Sequence, residues 1–203
     1  MSSSSERLLL AGPVGAVETV IDHPDAAPRG IALVAHPHPL YGGTLDNKVA
    51  QTLAKTFVEL GYVAVRPNFR GVGGSAGVHD DGNGETEDLL AVIHAVRRRL
   101  ALPEAPLALA GFSFGSLVQS RVAKRVAVER MVFVGTAVTR GVVESVPADT
   151  IVIHGEKDDT VPLNLVLRWA EPMELPVTVV AGADHFFHHR LHILHDIIVR
   201  AWG

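Results

Sequence analysis

Residues 107–118 read LALAGFSFGSLV: an apolar run, then Gly111-Phe112-Ser113-Phe114-Gly115, then apolar positions at helical spacing. A strand that turns sharply into a helix at GxSxG has the pattern of a nucleophile elbow. A serine hydroxyl is a poor nucleophile until a base takes its proton, and the tight turn projects the side chain clear of the backbone, where a histidine can reach it. The flanking glycines supply space. A Cβ at either position would press on the neighbouring strand or helix, and the turn leaves the serine itself in a strained conformation.

The pattern alone says little, because a chain this rich in glycine yields GxSxG by chance roughly once in ten such sequences. A second copy, Gly73-Gly74-Ser75-Ala76-Gly77, serves as an internal control. Ser75 is followed by Val78-His79-Asp80-Asp81-Gly82-Asn83-Gly84, turn-forming residues that do not start a helix. Ser113 is followed by Phe114, Leu117, Val118 and Val122 on one helical face, with Gln119, Arg121, Lys124 and Arg125 available for the polar side. Context therefore selects Ser113 as the nucleophile and leaves Ser75 as a loop residue.

Working outward, apolar runs bounded by Gly, Pro or Asp recur as GAVETVI, GIALVAH, YVAVRPN, LALAGF, RMVFVGT, TIVIHG and VTVVAG. Most are nearly continuous rather than alternating, as strands buried on both faces are. Between most of them lie helical patterns: Val49 to Leu60, Leu89 to Leu100, the segment after Ser113, Val161 to Ala170, and Leu191 to Ile198. Strand alternating with helix predicts a single α/β domain over residues 1–203, with a mostly parallel central sheet and helices on both faces. Residues 1–6, with their run of serines, read as a disordered tail.

A chain of 203 residues that is 47% hydrophobic is ample for one large core. A net charge of −4 gives no footprint for nucleic acid or an anionic membrane, and Arg97-Arg98-Arg99 ends a helical pattern, where it complements the helix dipole. The absence of cysteine excludes disulfides, thiol catalysis and cysteine zinc sites. The opening MSSSSERLLLAGPVG has neither a basic start nor an apolar run long enough for a signal peptide or a membrane span, so a cytoplasmic protein is expected.

An activated serine needs a base and an acid that orients it. Two carboxylates, Asp158 and Asp159, follow the run TIVI in His154-Gly-Glu-Lys-Asp-Asp-Thr-Val-Pro162, and His185 follows VTVVAG at the tip of the last strand. Asp159 or Thr160 also suits capping of the helix that starts near Pro162. His188, His192 and His195 share a helical face, but no HExxH or comparable ligand set accompanies them, and no metal is expected.

Five stretches, AHPHPLYGGTLDNKV at 35–49, RPNFRGVGGSAG at 66–77, AGFSFGS at 110–116, HGEKDDTVP at 154–162 and GADHFF at 182–187, resemble the α/β-hydrolase superfamily over nearly the whole chain. Within it the chain is similar to small lidless bacterial hydrolases with an HPHPLYGG loop, built like dienelactone hydrolase but with a serine nucleophile. The resemblance implies the chain order serine, acid, histidine. Asp158 then becomes the acid, as the fifth residue of an HGxxDxxVP pattern, with Asp159 as runner-up, and His185 becomes the base. The oxyanion hole would take the amide of Phe114 and one from the loop after the run IALVA. Pro37 and Pro39 have no N–H, which narrows the second donor to His38 or Leu40, with Leu40 preferred. His36 and His38 side chains read as loop braces, and Arg70 as bonding neighbouring carbonyls.

Related folds often insert a lid between the strands that here are RMVFVGT and TIVIHG. Only residues 137–149 intervene, so no lid and an open, shallow site are expected. The activity implied is cleavage of small carboxylic esters or thioesters through an acyl-enzyme, with a small acyl substrate and no cofactor. A serine peptidase acting on short peptides would use the same residues, and a non-catalytic binding protein on the same fold is the third reading. Monomer and homodimer both remain open.

Overall fold

The computed structural model describes residues 4–202. The apolar runs form one eight-stranded sheet in the order β1-β2-β4-β3-β5-β6-β7-β8. β1 (Ser5–Gly12) and β2 (Gly15–Asp22) are an antiparallel hairpin, and β2 also runs antiparallel to β4 (Tyr62–Pro67). From β4 onward every pairing is parallel, through β3 (Gly30–Ala35), β5 (Leu107–Phe112), β6 (Arg130–Val134), β7 (Ile151–Gly155) and β8 (Val177–Val180).

Continuous apolar strands make sense once both faces are covered. In β3, Ile31, Leu33 and Ala35 point into one core while Ala32 and Val34 point into the other. The first core is closed by α2 (Asn83–Arg99), α3 (Phe114–Val122) and α4 (Leu163–Ala170), through Leu89, Val92, Leu117, Val118 and Val166. The second is closed by α1 (Lys48–Glu59) and α5 (Leu191–Trp202), through Val49, Leu53, Phe57, Leu194 and Ile198. Each such leucine, isoleucine or phenylalanine taken fully out of water stabilises the fold by about 1.5–3 kcal/mol.

Three expectations need correction. Ser5 and Glu6 are not a tail. They open β1, paired to Asp22 and Ile21, and Glu6 accepts from Arg99 at the end of α2 at 2.8 Å. Met1 to Ser3 of the expected tail lie outside the described residues. The sequence hides the strand because Leu8, Leu9 and Leu10 read as an apolar triplet, whereas only Leu8 and Leu10 face the core and Leu9 points to solvent.

Secondly, the turn-rich stretch after Ser75 does contain a helix start. α2 begins at Asn83, because Gly82 adopts a left-handed conformation (φ 88°) and Glu85 reaches back to accept from the amides of Asp80 and Gly82, both at 2.9 Å. Thirdly, α3 has almost no polar side. Gln119 is buried and donates to the carbonyls of Leu33 and Ala110, and Lys124 and Arg125 lie beyond the helix end, because α3 is packed under both the sheet and α2.

The loops that follow β3, β5, β7 and β8 all leave the carboxyl ends of parallel strands. In an open α/β sheet that edge is where ligands bind. The β6–β7 connection, residues 135–150, is irregular, and among the described residues no covering subdomain stands over the elbow.

Candidate active site

Ser113 sits between β5 and α3 at φ 53°, ψ −120°, a region that side chains rarely occupy. The strain is held in place by its neighbours. The Ser113 amide donates to the Val134 carbonyl at 2.9 Å, and the Ser116 hydroxyl donates to the Ser113 carbonyl at 2.6 Å. The glycines do what the sequence requires of them: a Cβ on Gly111 would meet Gly115 backbone at 2.6 Å, and one on Gly115 would overlap the Ala35 carbonyl.

His185 and Asp158 converge on this serine from two other loops. His185 Nε2 lies 3.0 Å from Ser113 Oγ, and His185 Nδ1 lies 2.6 Å from Asp158 Oδ2, all three residues being buried. With the proton on Nδ1, the imidazole donates to the carboxylate and accepts from the serine hydroxyl. Asp158 Oδ1 also accepts from the amides of Val161 at 2.7 Å and Thr160 at 3.0 Å. Burial by itself would raise the Asp158 pKa, but the bonds from His185 and the Val161 amide outweigh it and hold the carboxyl below its ordinary value. An ionised acid aimed at Nδ1 fixes the tautomer that leaves Nε2 free to accept a proton.

The other sequence candidates separate clearly. Asp159 is exposed and meets only the Thr160 hydroxyl, at 3.4 Å. The expected cap from Asp159 or Thr160 is absent: α4 begins after Pro162 without a side-chain cap, and it is Asp158 that gathers the loop amides. Ser75 is engaged elsewhere, donating to the Asn68 carbonyl at 2.8 Å and accepting from the Glu18 amide at 3.0 Å. Arg70 is buried and forms a two-pronged bond to Asp88, at 2.8 and 2.9 Å, besides donating to the Gly84 carbonyl as expected.

His36 is the loop brace the sequence predicted. It is fully buried, its Nδ1 donates to the Pro37 carbonyl at 2.7 Å and its Nε2 accepts from the Phe69 amide at 2.9 Å, and burial pushes its pKa down to about 4. His38 instead packs its ring against Tyr41, His79 and Phe114. Its Nδ1 lies 3.3 Å from the Leu40 amide, so that N–H points at the ring.

His154 supplies a brace that sequence reading passed over. Buried at the end of β7, it donates from Nε2 to the Val161 carbonyl at 2.9 Å and so clamps the loop that carries Asp158; burial lowers its pKa. The late histidines go to separate partners, His188 to Asp184 and His195 to Glu59 and Asp196. Among the described residues no group of His, Asp and Glu could hold a metal ion.

Ser113 and His185 open into a cavity of about 270 Å³, also lined by Pro37, His38, Tyr41, Asn47, Arg140, Thr160 and Phe186. Arg140 and Phe186 come from loops, and no periodicity in the sequence singles them out.

Fold and site together define a serine hydrolase of the α/β class. The family model for X-Pro dipeptidyl-peptidases (S15 family) matches residues 16–139, and the chain belongs to that family. The match includes the elbow and stops before Asp158 and His185. A solved α/β serine hydrolase without a lid from Xanthomonas campestris is 36% identical, covering 100% of this chain and 96% of its own, with a TM-score of 0.89. An α/β serine hydrolase homologue from Coxiella burnetii is 37% identical over 100% of this chain and 99% of its own, with a TM-score of 0.87. An uncharacterized protein of Rickettsia prowazekii is 31% identical over 193 residues, 88% of this chain and 81% of the relative. No helix among the described residues is long and apolar enough to cross a membrane.

Proposed function

We propose that the protein is a carboxylesterase or thioesterase for small acyl groups, acting through Ser113, His185 and Asp158. The observation that carries this reading is the hydrogen-bonded line from Asp158 through His185 to Ser113, ending in a small open cavity. His185 Nε2 takes the Ser113 proton as Oγ attacks the acyl carbon, and Asp158 stabilises the imidazolium. The tetrahedral oxyanion is met by the Phe114 amide and by that of His38. His38 is preferred to Leu40 because the Leu40 N–H is already directed at a ring nitrogen. Collapse expels the alcohol or thiol, protonated by His185. Water then repeats the sequence on the acyl-enzyme and releases the acid and Ser113.

A second reading, a peptidase on short peptides, draws on the family match. An enzyme that removes dipeptides from a free N-terminus must recognise an ammonium group, and the cavity lining contains no carboxylate. That weighs toward esters. The strain held at Ser113 weighs against a purely binding role, because such backbone cost persists where a site uses it.

Short p-nitrophenyl esters and a fluorophosphonate probe test the assignment. Ser113→Ala should lose ester turnover and labelling together, whereas Ser75→Ala should keep both. Turnover retained by Ser113→Ala would refute the mechanism. Cleavage of Xaa-Pro anilides faster than esters would transfer the assignment to the peptidase. The cytoplasm is the proposed compartment, to be checked by fractionating cells that express the tagged full chain.

A further inference from the structure

One charged side chain in the cavity has no part in the mechanism above. Arg140 stands on the β6–β7 loop and lines the same cavity as Ser113 and His185. Its guanidinium carbon lies 4.7 Å from the centre of the Tyr41 ring, and its Nη1 donates to the Tyr41 hydroxyl at 3.1 Å. Tyr41 arrives from the opposite loop, in the short turn Pro39–Tyr41 after β3. The two side chains thus meet at the cavity, with the cation over the aromatic face.

What Arg140 lacks is a counter-ion. Arg66, Arg70, Arg99 and Arg125 each hold a carboxylate at 3.0 Å or less, and the arginines that hold none among the described residues, such as Arg121 and Arg130, do not line this cavity. Arg140 holds none among the described residues, and of its five N–H donors only the one to Tyr41 is engaged by another side chain. No acidic residue lines the cavity. His38 beside it does not add a second fixed charge, since burial, then the charges of His79 and Arg140, lower its pKa. An exposed guanidinium over an aromatic ring, with its Nε and Nη2 donors free of other side chains and in a small cavity that also holds Ser113, can receive a planar anion.

We propose that Arg140 binds a carboxylate of the substrate, and that the natural substrates are small esters or thioesters carrying an acid group. The proposal rests on the esterase reading and narrows it. The carboxylate can sit on the acyl half or on the leaving group, and paired probes distinguish them. For the acyl half, p-nitrophenyl hydrogen glutarate is compared with p-nitrophenyl methyl glutarate. For the leaving group, 4-acetoxybenzoate is compared with its methyl ester.

In one of the two pairs, the kcat/KM ratio of charged to neutral ester should fall about tenfold or more in Arg140→Gln, through KM, as expected for loss of one charge-assisted contact at a partly solvated site. Arg140→Lys should recover part of the ratio, and raising the salt should erode it in the wild type. A ratio unchanged by Arg140→Gln in both pairs overturns the proposal. If no ester is turned over by the wild type, it is the esterase reading that fails. Calorimetric titration of glutarate into Ser113→Ala, with and without Arg140→Gln, then decides Arg140 separately: binding that needs the arginine supports the site, and binding indifferent to it, or none, removes it.

Discussion

Replacing Asp158 with asparagine changes one atom of the site, and the structure sets what that atom does. Oδ1 accepts from two amides, Val161 at 2.7 Å and Thr160 at 3.0 Å, while Oδ2 faces His185 Nδ1 at 2.6 Å. An asparagine must place its oxygen on the amides, because the flipped form would turn an NH₂ toward two N–H donors. Losing both acceptor contacts in a buried loop costs roughly 2–6 kcal/mol in total. In the favoured orientation the NH₂ donates to Nδ1. The imidazole proton then moves to Nε2, which faces Ser113 Oγ at 3.0 Å and can no longer accept its proton.

A wrong tautomer of this kind lowers kcat by roughly 10⁴, about 5.5 kcal/mol in the barrier. The flipped minority keeps the right tautomer, so its cost limits the loss, and the expected loss runs from roughly 30-fold to 10⁴. Initial rates on p-nitrophenyl acetate measure it directly. The control is Asp159→Asn, whose exposed side chain touches only Thr160 and which should stay within about twofold. A loss below tenfold in a folded Asp158→Asn variant would refute the argument, as would an equal loss at Asp159.

Two further predictions concern stability. Arg70→Met leaves the Asp88 carboxylate buried and unpaired, which should cost about 3–5 kcal/mol in urea unfolding; a cost below about 1 kcal/mol would show that the pair does not hold α2. His36, held neutral with its pKa pushed to about 4, makes stability fall with acid: between the ordinary His value near 6.5 and about 4 the unfolded chain binds the extra proton, so stability is full above that window and is lost as pH drops through it. The group contributes about 3 kcal/mol across the window, and His36→Gln should flatten this part of the urea-stability profile. An unchanged profile would mean His36 keeps its proton affinity inside the fold.

The candidate site residues whose placement is legible in the sequence share a property: their positions are set by the backbone. Ser113 stands between two glycines that no Cβ could replace, and the strand before it is buried at every position. Asp158 and His185 lie in the loops just after β7 and β8, which a parallel sheet ends on one edge, so chain order brings both loops to the serine, and the HGxxDxxVP pattern separates Asp158 from Asp159. β1 is illegible for the opposite reason. Its membership of the sheet depends on which face Leu9 takes, and three consecutive leucines hide the alternation. Gln119 was misjudged because helical spacing marks it as polar, while the carbonyls of Leu33 and Ala110 that receive it belong to two different strands.

Arg140 lies at the far end of this scale. Its neighbour Tyr41 is distant in the chain, the loop around it has no periodicity, and its place over the cavity follows only from how two irregular segments meet. The division has a physical basis. Catalysis of acyl transfer needs atoms held to within a hydrogen-bond length, so its residues sit on or directly after strands, where local sequence dictates position. Selection among acyl groups needs only charge and shape facing the same cavity, which loops supply at little cost to the fold. The proposed chemistry is thus readable from motifs, whereas the proposed substrate class is read from the guanidinium that lines the same cavity as Ser113.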